Sequence, residues 1–426
     1  MTQRTLGLES QMTARAHSLS GFVYLYVLFY ILMEGAPGIA YRKILFPIMA
    51  LLVMVYLFAH NSLFRERDIW RYVIANLVIF ACQWITLGWV SLPGVVNYSC
   101  KIIWGAFLYV LLGYQFKYVY LRLMTFIALI SLVFFGIQSF TGIRYEFFDT
   151  GPGLKFYSLI LYCSREGELA RNCGCFWEPG AYGCYLMMIP IFFVNELPKL
   201  WREHRIKCII LIAALLTTRS TTAYLTFGMF VLIFLVLKMR SWVKYLIIPV
   251  ALIGALAAYE SLEFLQEKVD KQTESSIAAR GEYNANRLGS LLFDWHYIKK
   301  HPFFGNGLHE RTRYADHPGL AKALKDGDLA KSGNGLSGHC ANMGVVFYLV
   351  FYYFLFRRNR RLTLNERLMI VIIFSMLLCG EALFNYPLSL ALCFHVWYDP
   401  EEESEEEETV EEVTADETPQ IEPVLS

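Results

Sequence analysis

Charge is scarce in this chain. Acidic and basic residues make up 18% of its 426 residues against 56% apolar ones, with a mean hydropathy of +0.40. A soluble chain of this length carries more charge, so a water-soluble globular fold is excluded. The formal net charge of +1 removes any bulk attraction to nucleic acid. No glycine-rich phosphate loop of the Walker type occurs, so nothing points to ATP. The first apolar run is followed by no small-residue cleavage site and is expected to stay as an anchor. No internal repeat is present. Metal-ligand spacing is also lacking: His296, His301, His309, His317 and His339 fall in or at the edge of one polar stretch, but His296 and His301 are five apart and share no helix face. Asp326-Gly327-Asp328 reads as a tight turn rather than a metal clasp. No cofactor is expected.

What the chain has instead is hydrophobic runs long enough to cross a bilayer. They are placed near 20–34, 41–60, 70–90, 99–116, 119–140, 178–195, 206–218, 221–238, 242–259, 339–356, 366–382 and 385–398. The fold class is therefore an all-α integral membrane protein with about twelve transmembrane helices. Lys and Arg collect in alternate short loops, at Arg65, Arg67 and Arg71, at Lys117 and Arg122, at Lys199 to Lys207, at Lys238 to Lys244 and at Arg357 to Arg361. The intervening loop 91–98 has none, and 35–43 holds only Arg42 and Lys43. Positive residues stay inside, so both termini are expected in the cytoplasm. Two large loops then lie outside, 141–177 and 260–338. The remaining divisions are the first five helices in 1–140, helices six to nine in 178–259, and helices ten to twelve in 339–398. Residues 399–426 form an acidic tail whose run from Glu401 to Glu408 repels itself and stays solvated. Most of the ten cysteines sit in spans as small apolar groups. Cys163, Cys173 and Cys175 lie in the first outer loop, where the spacing leaves open a disulfide between any pair or three thiols.

The chemistry is expected in the outer loops. Loops longer than about 15 residues are usually functional or disordered, and the second one mixes Arg, His, Trp and Gly. Leu288, Leu291, Leu292, Trp295 and Ile298 recur at helical spacing, an amphipathic helix on the membrane or on the bundle. His301-Pro302 ends it, and Gly305 and Gly307 make a flexible turn. Arg287, with Arg280, suits a lipid-linked phosphate, because a guanidinium fork binds phosphate oxygens in pairs and never deprotonates; solvated surface charges are the bland alternative. Arg219 in Thr217-Thr218-Arg219-Ser220-Thr221 sits at the outer end of a span, as a snorkelling side chain or an anion clamp. Glu178, before Pro179, either caps a helix or orients and deprotonates a sugar hydroxyl.

Three stretches together resemble the bacterial O-antigen polymerase and O-antigen ligase superfamily of polytopic membrane glycosyltransferases. They are Thr217 to Thr221, Arg287 through Trp295 to the His301-Pro302-Phe303-Phe304-Gly305-Asn306-Gly307 turn, and residues 332–344 entering the next span. Arg171 to Pro179 adds the R-x-x-G-x-F-x-E-P pattern of polymerase-type members. The resemblance implies an undecaprenyl-pyrophosphate-linked oligosaccharide as substrate, transferred outside the inner membrane without nucleotide or metal, with a polysaccharide chain-length regulator as a further partner. Carried over, Arg219 and Arg287 bind the pyrophosphate, helped by Arg280 and Arg171, and Glu178 or His339 serves the acceptor hydroxyl. One departure stands out: ligase-like members place a His-Asn pair before a glycine, and here Asn334 follows Gly333, with His339 five residues on. That tilts the reading toward polymerase. The open alternatives are a ligase acting on lipid A-core, a lipid-linked oligosaccharide flippase and a non-catalytic assembly protein.

Overall fold

The computed structural model describes residues 21–39, 42–59, 67–143, 156–159, 161–165, 170–238, 287–316 and 333–399. Helices dominate: α1 (Gly21–Glu34), α2 (Ala36–Ile39), α3 (Arg42–Ala59), α4 (Arg67–Leu87), α5 (Leu92–Leu112), α6 (Phe116–Thr141), α7 (Pro179–Phe192), α8 (Leu197–Glu203), α9 (Arg205–Thr217), α10 (Thr221–Lys238), α11 (Arg287–Lys300), α12 (Glu310–Arg313), α13 (Gly335–Arg358), α14 (Leu364–Gly380) and α15 (Pro387–Leu390). A small antiparallel hairpin pairs β1 (Phe156–Ser158) with β2 (Cys163–Arg165). Local signals set the boundaries. Ser91 caps α5 by accepting from the Gly94 amide at 3.3 Å, with Pro93 in the first turn. Gly113, at φ +51°, ends α5, and a 3-10 turn over Gly113–Gln115 leads into α6. Thr363 and Glu366 form a capping box on α14.

Among the described residues three helical stretches are long and apolar enough to cross a membrane: Arg67–Leu87, Leu92–Thr141, which Gly113 divides, and Gly335–Arg358. The pair α7 and α8 passes the same test together but is bent by 107°, as in a broken span or a re-entrant loop. Leu51, Leu52, Val55 and Phe58 on α3, and Ile74, Val78 and Ile85 on α4, face outward, as expected where lipid is the solvent. The expected span 242–259 lies outside the described residues, as do the acidic run 401–408 and Asp326 to Asp328. The ten cysteines form no disulfide, and Cys163, Cys173 and Cys175 are buried thiols.

The expected twelfth helix, 385–398, is not a helix. It consists of 3-10 turns at Leu383–Asn385 and Leu392–Phe394 around the four-residue α15. The segment is buried, and other helices supply its hydrogen bonds. The Leu388 amide donates to Glu34 at 2.5 Å, and the Leu388 and Leu390 carbonyls accept from Tyr109 at 2.9 Å and Tyr72 at 3.4 Å. Lys117 and Asn195 donate to the Trp397 carbonyl at 3.0 and 2.9 Å, while Asn359 donates to the His395 carbonyl and accepts from the Trp397 amide. Non-helical backbone is tolerated at membrane depth when protein satisfies it in this way, so the hydropathy of the run is real and its secondary structure is not helical.

These contacts define two ends of the bundle. One gathers Lys117, Tyr114, Tyr118 and Glu196 with Asn195, Asn359 and Trp397. The other gathers the turn after α1, where the Ala36 amide donates to Cys175, the Gly307 turn against Leu87, and the stretches 171–178, 218–220 and 381–386.

Candidate functional site

The site is built on the second of these ends. Asn172 ties the end of the first large loop to the turn between α9 and α10: its amide donates to the Thr217 carbonyl at 3.0 Å, and its side chain to Thr217 Oγ1 at 3.0 Å and Ser131 at 3.1 Å. Arg171 Nε then donates to the Thr218 carbonyl at 3.2 Å. The next residue, Arg219, is exposed and has φ +48°, the one non-glycine among the described residues in the left-handed region. That conformation is strained for a residue with a Cβ, and strain of this kind gathers at functional sites. The structure therefore brings Arg171 and Arg219, 48 positions apart in the chain, onto one turn.

Glu178 is half-buried and extended just before α7. It occupies the N-cap position of α7, at the positive end of the helix dipole, without a side-chain capping hydrogen bond. The first turn of α7 lies on the first turn of α10, with Gly183 against Ala223. A Cβ on Gly180 would stand 2.5 Å from Glu381 Oε1 and 3.8 Å from Ser220 Oγ. Glu381, buried just past the end of α14, was not anticipated. The available signal was an acid at the C-terminal end of an apolar helix, where the helix dipole disfavours a negative charge.

On the far side of Glu381, its carbonyl and the Ala382 Cα pack against Gly335 at the start of α13. Asn334 caps this helix by accepting from the Ser337 amide at 3.1 Å. His339 follows one turn later and is buried. Tyr98 Oη lies 3.2 Å from its Nε2, and Phe347 and Phe384 pack on the ring. His339 lines a cavity of about 180 Å³ with Glu310, Arg313, Asn334, Asn342 and Asn385. Arg313 forms a buried ion pair with Asp294 of α11, whose other oxygen accepts from Ser337 at 2.6 Å. Burial raises the hydroxyl of neighbouring Tyr314, opposed by the Arg313 charge, so it stays a neutral donor.

One expectation about the second loop needs correction. The turn 301–307 is not flexible: Gly305 and Gly307 are buried at φ +75° and +85°, and the turn plugs a break in α13. At Gly344, φ +73°, α13 leaves helical geometry, and the freed Val345 and Val346 amides donate to the Pro302 and Phe303 carbonyls at 2.9 and 3.1 Å. Asn306 donates from its side chain to Tyr297 and Ala341, and Gln83 donates to Phe304 and Asn342. On α11 the leucine and tryptophan stripe is exposed at Leu291, Leu292 and Trp295 rather than packed on the bundle, and Ser290, Asp294 and Tyr297 are buried. Arg287 opens α11; Arg280 lies outside the described residues.

Apolar spans with a polar cleft at one end define a multi-pass membrane protein. A family model described as O-antigen ligase matches residues 206–331. The match spans Arg219, Arg280 and Arg287 and agrees with the resemblance to the O-antigen polymerase and ligase superfamily. No curated protein matches the chain.

Proposed function

We propose that this protein polymerises undecaprenyl-pyrophosphate-linked oligosaccharide repeat units into O-antigen or capsule, on the outer face of the bacterial inner membrane, with both its termini in the cytoplasm. The observation that carries the reading is the convergence of Arg171 and Arg219 on the turn between α9 and α10. Two guanidinium groups match the charge of a pyrophosphate, and the N-termini of α7 and α10 meet beside them. In this reading Arg287 and Arg280 also bind the pyrophosphate. In the reaction, a hydroxyl of one lipid-linked unit attacks the anomeric carbon of the other. The bond from that carbon to the phosphate oxygen breaks, undecaprenyl pyrophosphate leaves with the electron pair, and Glu178 or His339 takes the hydroxyl proton. The arginines stabilise the leaving charge, and holding both substrates end to end supplies the rest. A chain-length regulator is the partner such a ladder calls for.

The R-x-x-G-x-F-x-E-P stretch and Gly333 at the position of the expected histidine favour polymerisation. The description of the matching family favours the second reading, ligation to lipid A-core. Reconstitution of the purified protein with its lipid-linked repeat unit alone tests both. A polymerase gives a ladder of products that disappears in Arg219→Ala and Arg287→Ala. Transfer that requires added lipid A-core would make it a ligase, and no transfer in either condition would refute both.

A further inference from the structure

We infer that the cavity between α12, the start of α13 and the 382–385 turn is the subsite for the terminal sugar of the acceptor glycan, separate from the pyrophosphate clamp; the word acceptor rests on the reading above.

Charge decides against phosphate here. The cation of the cavity wall, Arg313, is already paired with buried Asp294, and Glu310 brings a second carboxylate. Even a protonated His309, 3.8 Å from Glu310, leaves the described lining residues without excess positive charge, and the nearby Lys101 charge acts on His339. Among those lining residues a pyrophosphate would find one cation, already paired, whereas the Arg171 and Arg219 turn offers two. What the cavity does offer is the amides of Asn334, Asn342 and Asn385, the Glu310 carboxylate, and the rings of His339, Tyr314 and Phe384. Closely spaced donors and acceptors beside aromatic faces suit a ring bearing several hydroxyl or acetamido groups. Two polar atoms of the wall, Asn342 Oδ1 and Arg313 Nε, have no hydrogen-bond partner among the described residues, although Arg313 is only 8% exposed. Buried groups left in that condition call for a ligand or water.

Position agrees with chemistry. The cavity is bounded by Ala382, the residue after Glu381, and Glu381 abuts Gly180, which also faces Ser220 next to Arg219. One short turn therefore separates the sugar subsite from the clamp, the arrangement needed to form a single glycosidic bond between two substrates.

The test uses the full-length protein in lipid nanodiscs. The probe is the phosphate-free oligosaccharide released by mild acid from the host's own lipid-linked repeat unit, titrated by saturation-transfer NMR. Wild type is expected to bind saturably. Asn385→Ala and Glu310→Gln, both at partly or fully exposed positions, are expected to weaken binding at least tenfold with unchanged melting temperature. Arg219→Ala is expected to bind the probe as wild type does. Absence of saturable binding, wild-type affinity in both cavity variants, or equal weakening by Arg219→Ala would overturn the assignment. Probe binding without a product ladder would count against polymerisation alone. A ladder with no dependence of probe binding on Glu310 and Asn385 would count against the cavity alone.

Discussion

At the scale of single residues, backbone conformation carries most of the information. Arg219 holds a left-handed conformation, worth about 1 kcal/mol of strain for a side chain with a Cβ. Arg219→Gly is therefore expected to raise the melting temperature in detergent while abolishing product, a trade of stability against activity. Arg219→Ala should lose product with no gain in stability. Gly344 presents the opposite case. A Cβ there would meet the Phe303 carbonyl as well as an unfavourable φ of +73°, so Gly344→Ala is expected to destabilise by more than about 1–3 kcal/mol, measured as a lowered melting temperature. Asp294→Ala should cost about 3–5 kcal/mol by stranding buried Arg313, and a thermal shift near zero would contradict that pairing. The sequence made Arg219 legible because an arginine beside an apolar run is expensive and therefore noticed, and Arg171 through the R-x-x-G-x-F-x-E-P pattern it opens. Asp294, Arg313 and Glu381 escaped notice because their partners lie far along the chain, and a lone carboxylate in a polar loop resembles solvated charge.

At the scale of elements, hydropathy located the buried segments well but not their conformation. Apolar content reports what excludes water, and in 383–398 that property belongs to 3-10 turns whose amides and carbonyls are served by Glu34, Tyr72, Tyr109, Lys117 and Asn359. On α11 the polar residues, not the apolar stripe, hold the helix to the bundle. Its leucines face outward, while Asp294 and Ser290 are buried because they hold Arg313, Ser337 and the Gly333 amide. The Lys117 anchor gives a direct test. Lys117 is fully buried 2.8 Å from Glu196 and also donates to Trp397. Lys117→Met should destabilise by about 3–5 kcal/mol, and adding Glu196→Gln should recover part of the loss. Additive losses in the double variant would mean the pair is not coupled.

At the scale of the molecule, the two ends differ in kind: one is a clasp of tyrosines around Lys117 and Glu196, and the other carries the arginines, the cavity and the plugged break. The proposed orientation sets the second end outside. With accessible native thiols blocked, Phe303→Cys should react with a membrane-impermeant maleimide in intact cells, and Arg360→Cys only after permeabilisation. The reverse pattern would invert the topology. The buried 383–398 segment also constrains how the protein is made. Beyond the bonds within its own turns, its backbone groups are served by α1, α4, α5, α6 and the turns after α7 and α13, all of which emerge earlier from the ribosome. It cannot enter lipid by itself, so biogenesis must close with this segment sliding into a bundle already assembled, and a nascent chain arrested after Gly380 would hold an open, water-accessible slot where the finished protein has a wall.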